Sequence, residues 1–309
     1  MLKKILNKDV KEYKAKDVMT KNVITLPPSE SLLKAQSLMT KDRIKKIVVV
    51  EDDMAVGIIA IKDILRFVIS DQTDREMHEI PIAEAMIKRL VTTEKNSYLI
   101  ECAQVMTREN VSSIVILEED SQQSVKPKKL SGIITSSDIT SFFGDKCSGM
   151  TTVRDYMSYP VFTIAVNEKI SNATELMLKH HISHLVVTGP GYLVGILSET
   201  DLLLLTLAFK SKTLRSVYEN NLILFHSSKK RNLVEPALAT IRDVLTPDPT
   251  IIEKHADLAD AAKIMIRQGI SAILVVDSLE EEKKDLPVGI ITKSDVVKSL
   301  SQIYQKVKP

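Results

Sequence analysis

The feature that most constrains this chain is a supersecondary unit that occurs four times. The copies begin at Met19, Met86, Met157 and Leu245. A repeat of this kind fixes the architecture before single elements are assigned, because every copy must fold in the same way. The fold of the chain therefore follows from the interpretation of one copy.

Each copy contains an apolar stripe at helical spacing, followed by a short β-branched run. In the first copy the stripe is Leu32, Ala35 and Met39, which share one helix face. The corresponding residues of the later copies are Leu99, Cys102 and Met106, then Ile170, Ala173 and Met177, then Leu258, Ala261 and Met265. The β-branched runs, which are short enough for buried strands, span 47–50, 114–117, 185–187 and 273–276.

Each copy closes with a glycine, two aliphatic residues and, six positions after the glycine, an aspartate. These segments are 57–63, 132–138, 195–201 and 289–295. A hydroxyl residue stands three positions before the aspartate except in the first copy, where Ala60 replaces it and Asp63 remains. The whole pattern predicts a strand, helix, strand, strand, helix unit of the α/β (α+β) class. A unit of about 60 residues buries too little apolar surface to be stable alone, so the copies are expected to pack in pairs.

The four motifs in register resemble the cystathionine-β-synthase (CBS) domain family, over residues 16–303. The resemblance implies four CBS repeats, paired in chain order as two Bateman modules. The predicted segments are a basic tail (1–15), repeat one (16–72), repeat two (80–145), repeat three (150–209), a linker (210–239) and repeat four (240–305).

The recurring hydroxyl and aspartate have two interpretations. Thr or Ser followed three residues later by an acid is a capping box, which satisfies unpaired amides at a helix start. The same geometry suits a nucleotide, because a helix N-terminus attracts phosphate and an ionised Asp accepts hydrogen bonds from two ribose hydroxyls. The resemblance implies the second interpretation, since paired CBS repeats commonly bind AMP, ADP, ATP or S-adenosylmethionine in clefts between copies.

The resemblance also implies that each cleft joins the Asp motif of one copy to the opening strands of its partner. Two clefts have a complete motif and polar partner groups. One brings Ile133, Thr135 and Asp138 opposite Thr25, Lys45 and Lys46, and the other brings Ile290, Thr292 and Asp295 opposite Thr163, Ser183 and His184. In a third cleft Ser198 and Asp201 face the poorer groups of Ile251, Ser271 and Ala272. The fourth, in which Asp63 faces Thr92, Ser112 and Ser113, is expected to be weak or empty.

Simpler interpretations exist for the basic residues of these clefts. Lys45 and Lys46 also fit the solvated start of a strand, and His184 fits an ordinary surface or core histidine. His180, His181 and His184 run across a helix end into a strand, so no metal site is predicted. Cys102 occupies a core-facing helix position and Cys147 lies in a linker, so no catalytic thiol is indicated.

Composition excludes several classes of protein. The 42 basic and 40 acidic residues give a net charge of +2, so basic patches are local, in the tail 1–16 and the linker 210–240. Aromatic residues are 4% with no Trp, which favours a ligand held by backbone, aliphatic residues and Asp over stacked rings. Two cysteines form no disulfide framework, and neither a signal peptide nor a membrane span is indicated, so a cytoplasmic protein without membrane insertion is expected.

The sequence therefore predicts a regulatory protein that is not an enzyme and requires no cofactor. Its regulatory ligand would be an adenine nucleotide or S-adenosylmethionine, and its signal would pass to a separate, unknown protein partner. A homodimer is compatible with the pattern. Two alternatives remain: a nucleic-acid-associated protein that uses the basic linker and tail, and a structural scaffold in which every motif is only a helix cap.

Overall fold

A computed structural model describes residues 8–71, 73, 75–118, 129–202, 240–278 and 287–303. Residues 1–7 of the basic tail and the predicted linker at 210–239 lie outside the described residues. The proposed role of these basic segments therefore stays a prediction. Within the described ranges, none of the helices has the length and apolar character needed to cross a bilayer.

Each repeat begins with an opening turn, which precedes its first strand and central helix. The opening turns are the helices Ala15–Val18 and Ile82–Ala85 and the 3-10 turns Val153–Asp155 and Ile241–Asp243. The first strands are Thr25–Leu26, Thr92–Glu94, Thr163–Ala165 and Ile251–Glu253. The central helices are Leu32–Lys41, Leu99–Arg108, Ile170–His180 and Leu258–Gln268.

A second strand, a third strand and a closing helix complete each repeat. The second strands are Lys46–Glu51, Ser113–Leu117, His184–Gly189 and Ala272–Val276. The third strands are Met54–Ala60, Leu130–Thr135, Tyr192–Ser198 and Gly289–Thr292. The closing helices are Ile61–Ser70, Ser136–Lys146, 199–202 as far as it is described, and Lys293–Ile303. The predicted order of elements is confirmed, and the opening turn is an addition to it.

Every repeat has the same small sheet. Its first strand runs parallel to the second, which is antiparallel to the third. The sheet of repeat three gains a short fourth strand, Thr246–Pro247, from repeat four. The predicted helix stripe covers the sheet, because Leu32, Ala35 and Met39 are all buried.

The opening turns are exchanged between partner repeats. Ala15 N donates to Ser97 O at 2.8 Å, and Leu99 N donates to Tyr13 O at 2.8 Å, so the opening turn of repeat one lies on repeat two. Equivalent bonds in the other repeats run from Ile82 N to Glu30 O, from Val153 N to Ala256 O and from Ile241 N to Glu168 O. The predicted pairing of repeat one with two, and of three with four, is therefore confirmed.

The residue that begins each copy packs on the motif glycine of the partner. The pairs are Met19 with Gly132, Met86 with Gly57, Met157 with Gly289 and Leu245 with Gly195. A Cβ atom on Gly289 would lie 2.7 Å from Met157 Sδ. The adjoining Ser158 and Ile290 exchange backbone hydrogen bonds of 2.9 and 3.1 Å, which hold the two segments together. The motif requires glycine because the partner repeat of the same chain occupies the space that a side chain would fill.

We expect Gly289→Ala to lower the free energy of unfolding by about 1–3 kcal/mol, because the added methyl group overpacks this contact. In a Met157→Ala background the cost should be smaller, since the nearest remaining atom is Ser158 O at 3.2 Å. Urea unfolding of the wild type, the two single variants and the double variant measures both costs. Equal costs in the two backgrounds would contradict the proposed packing.

The two modules pack against each other through the central and closing helices of repeats two and four. The closing helix of repeat two packs on the central helix of repeat four, and the closing helix of repeat four packs on the central helix of repeat two. One buried core runs through both repeats, and a second runs through repeats one and three.

Both cysteines lie in the core that repeats two and four share. Cys102 is 1% exposed, as its helix position predicted. Cys147 follows the closing helix of repeat two and is 0% exposed, so the residue that the sequence placed in a linker belongs to the buried core. Within the 147–150 connection Cys147 is buried whereas Ser148 and Gly149 are exposed, which the composition of the segment does not reveal.

Candidate functional site

A cavity of 1090 Å³ lies where the four repeats meet, and residues of all four line it. We call it the central cavity. The set predicted for the cleft between repeats three and four lines it completely: Thr163, Ser183, His184, Ile290, Thr292 and Asp295. These residues come from two repeats and line the same cavity.

Asp295 lines the central cavity from the start of the closing helix of repeat four. Its Oδ2 accepts hydrogen bonds from Thr292 N at 2.8 Å and Thr292 Oγ1 at 2.7 Å. No described side chain of another residue donates a hydrogen bond to its Oδ1. Burial raises the pKa of the carboxyl group, and the bonds from Thr292 oppose this. Both bonds from Thr292 therefore use the same carboxylate oxygen of Asp295.

His184 links repeats three and four within the cavity. Its Nε2 lies 2.9 Å from Ser271 Oγ. Burial lowers the pKa of the imidazole to about 3, and the positive charge of Lys45 adds to this. His184 is therefore neutral near pH 7, and it can offer a ligand a hydrogen bond but no charge.

This histidine should make the protein less stable in acid. Its pKa is about 3 in the folded chain and roughly 6.5 in an unfolded one. Between these values the unfolded chain binds a proton that the folded chain does not, so the free energy of unfolding falls as the pH falls. We expect the free energy of unfolding of His184→Gln, measured with urea, to fall less between pH 7 and pH 5 than that of the wild type. An identical pH dependence in the variant would contradict the buried neutral state.

The set predicted for the cleft between repeats one and two is divided. Lys45 and Lys46 line the central cavity, whereas Thr25, Ile133, Thr135 and Asp138 are not part of its lining. Asp138 Oδ2 accepts hydrogen bonds from Thr135 N and Oγ1, both at 2.7 Å. Its Oδ1 lies 3.5 Å from Thr20 Oγ1. Both oxygens of Asp138 thus have neighbours within the first module.

The two remaining motifs also form helix caps. Asp201 Oδ2 accepts from Ser198 N at 2.8 Å and Ser198 Oγ at 2.7 Å, and Ser198 lines the central cavity. Asp63 Oδ2 accepts from Ala60 N at 2.8 Å. Asp63 Oδ1 is buried without a described partner, and burial raises the pKa of this carboxyl group. The cap in repeat one forms without the hydroxyl group.

The cavity also contains aromatic residues that composition alone did not indicate. Tyr156, Tyr159 and Phe162 line it, and the Phe162 ring centroid lies 4.5 Å from that of His180. Tyr159 is 72% exposed. A low aromatic content does not determine where the few rings gather, and whether a ligand is held without stacked rings stays a prediction.

The charge of the cavity is positive. Its lining contains the ammonium groups of Lys45, Lys46, Lys62, Lys293 and Lys298 against the carboxyl groups of Glu199 and Asp295. Lys46 Nζ donates to Ser112 Oγ at 2.7 Å, at the positions that correspond to His184 and Ser271 in the second module. A pocket of this charge favours anionic ligands.

Three histidines, His180, His181 and His184, line the central cavity from different elements. His180 ends the central helix of repeat three, His181 follows with a φ of 54°, and His184 begins the next strand. In the part of the chain that the structure describes, no three His, Cys, Asp or Glu side chains are arranged to hold a metal ion.

Comparison with known proteins agrees with this architecture. The family model for the CBS domain matches residues 15–70, 82–145, 153–207 and 241–302. The chain therefore belongs to the CBS-domain family, whose members include regulatory proteins. The uncharacterized protein MJ1225 of Methanocaldococcus jannaschii is 25% identical over 296 residues, which are 92% of this chain and 97% of that protein. The chloroplastic CBS domain-containing protein CBSX1 of Arabidopsis thaliana is 29% identical over 165 residues, or 50% of this chain and 66% of its own length.

Two solved structures share the fold over almost the whole chain. The crystal structure of MJ1225, described as a candidate archaeal homologue of g-AMPK, has a TM-score of 0.73 at 22% identity and covers 93% of this chain and 99% of that one. A conserved protein from Pyrococcus horikoshii has a TM-score of 0.58 at 21% identity, covering 93% and 100%. At these identities the likeness concerns the fold alone.

Proposed function

We propose that the chain is a non-catalytic regulatory protein that binds an adenine nucleotide or another adenosyl ligand between repeats three and four. The observation that carries the proposal is the position of Asp295 at the wall of the central cavity, where both bonds from Thr292 go to Oδ2 and no described side chain of another residue donates to Oδ1. An ionised carboxylate can only accept hydrogen bonds, which suits the vicinal hydroxyls of a ribose.

The other parts of a nucleotide find matching groups in the same cavity. Tyr159 and Phe162 offer ring faces on which a planar base can stack. Thr163 and Ser183 offer hydroxyl donors and acceptors, and lysines supply charge for phosphate. The cavity of 1090 Å³ is large enough for such a ligand, since ligand pockets span about 300–1,000 Å³.

A binding role fits the reactive groups better than a catalytic one. Burial raises the pKa of both Cys102 and Cys147 to about 12, so neither thiol forms a nucleophilic thiolate near pH 7. His184 is neutral, and its Nε2 is engaged by Ser271. The ligand would act by binding one arrangement of the two modules more tightly than another, and a separate protein partner would respond to this shift.

Calorimetric titration of the chain with AMP, ADP, ATP and S-adenosylmethionine tests the proposal. We expect saturable binding of at least one of them, accompanied by a change in tyrosine fluorescence, because Tyr156 and Tyr159 line the cavity and the chain has no Trp. If none of the four ligands binds, the proposed function is wrong.

A further inference from the structure

We infer that Lys45 and Lys46 of repeat one bind the phosphate groups of a nucleotide whose sugar is held on Asp295 of repeat four. The ligand then bridges the two modules, and phosphate-bearing ligands are selected over S-adenosylmethionine. The inference rests on the proposed function and adds to it the class of ligand and the module that supplies the phosphate site.

Lys45 belongs to the first module but faces the second. Its positive charge acts on His184 of repeat three and on Lys293 of repeat four, both of which line the central cavity. The acids that act on Lys45 are Glu199 and Asp201, at the start of the closing helix of repeat three. The sequence had placed Lys45 opposite Asp138, whereas in the structure Lys45 lines the central cavity, which Asp295 also lines.

The neighbouring ammonium groups are fixed by neutral hydroxyls. Lys46 Nζ donates to Ser112 Oγ at 2.7 Å, and Lys293 Nζ donates to Ser137 Oγ at 3.0 Å. A hydroxyl orients an ammonium group without neutralising it. Lys46 is thereby held at the cavity wall with its charge uncompensated by this contact.

The surrounding charges make an anion favourable at this place. The pKa of Lys46 is lowered to about 7, chiefly by burial and also by the positive charges of Lys62 and Lys45, against the opposing effect of Asp63. The five lysines of the lining exceed its two acids by three formal charges. A phosphate would relieve this repulsion and form charge-assisted hydrogen bonds with the lysines.

The same charges disfavour S-adenosylmethionine. That ligand carries a sulfonium cation where a nucleotide carries its phosphate, so like charges would meet in a partly enclosed cavity. Neutral adenosine would keep the contacts of its base and ribose but gain nothing from the lysines. The expected order of affinity is ATP, then adenosine, then S-adenosylmethionine.

Calorimetric titration of these three ligands tests the inference on the wild type, Lys45→Met and Lys46→Met. Both substitutions should weaken ATP binding by about tenfold or more and leave adenosine binding unchanged. Lys41→Met is the matched control, because Lys41 is an exposed lysine of the same repeat that does not line the cavity. It should bind all three ligands as the wild type does.

Two results would overturn the inference: unchanged ATP affinity in Lys45→Met, or wild-type affinity for S-adenosylmethionine equal to that for ATP. Lys45 is exposed, so its replacement tests the inference even if Lys46→Met, which loses the contact with Ser112, folds poorly. Failure of all adenosyl ligands to bind the wild type would instead overturn the proposed function.

Discussion

Asp295→Asn is expected to weaken the binding of an adenosyl ligand by at least about tenfold. Asparagine retains an oxygen that can accept the backbone N–H of Thr292, so the cap at the start of the closing helix survives. It removes the negative charge and places an amide donor where the ribose hydroxyls would donate. Calorimetry with ATP and with adenosine should show the loss for both ligands, because both carry the ribose.

Asp243→Asn provides the matched control for this prediction. Asp243 Oδ2 accepts hydrogen bonds from Thr240 N at 2.8 Å and Thr240 Oγ1 at 3.0 Å, which reproduces the cap around Asp295. Asp243 is not part of the cavity lining. We expect wild-type affinity in this variant. Equal losses in the two variants would show that the motif acts only as a structural cap.

Phe143→Ala is expected to lower the free energy of unfolding by about 3–5 kcal/mol, as truncations of fully buried aromatic residues do. Phe143 is 0% exposed and lies in the core shared by repeats two and four. It belongs to the closing helix of repeat two, which packs on the central helix of repeat four. The cavity left by its ring would therefore weaken the contact between modules as well as repeat two itself.

Leu178→Ala is the control for this loss. Leu178 also lies in a helix of a repeat, but it is 46% exposed. Its replacement should change the free energy of unfolding by only about 0.5 kcal/mol in urea unfolding. A similar small effect of Phe143→Ala would mean that the modules do not share a core.

Local patterns in the sequence predicted the repeats and their elements. The stripe of Leu32, Ala35 and Met39 is buried as expected, because helical spacing alone determines which residues share a face. The resemblance to the CBS family implied the grouping of Thr292 and Asp295 with Thr163, and all three residues line the central cavity. Their role in binding a ligand stays a prediction.

Contacts between elements far apart in the chain were outside the reach of these patterns. The exchange of opening turns depends on hydrogen bonds such as that from Ala15 N to Ser97 O, for which the sequence carries no periodic signal. The position of Lys45 at the second module depends on how the modules pack. The register of the repeats predicts only which residues face each other within one module. Cys147 is also buried by packing between modules, because it lies in the core that repeats two and four share.

A crystal structure of the chain with bound ATP tests the central claim most directly. We predict that the ribose hydroxyls lie within hydrogen-bonding distance of Asp295 Oδ1, with the phosphates reaching Lys45 and Lys46 across the central cavity. ATP bound only at the cleft around Asp138, with the central cavity free of nucleotide, would contradict the account.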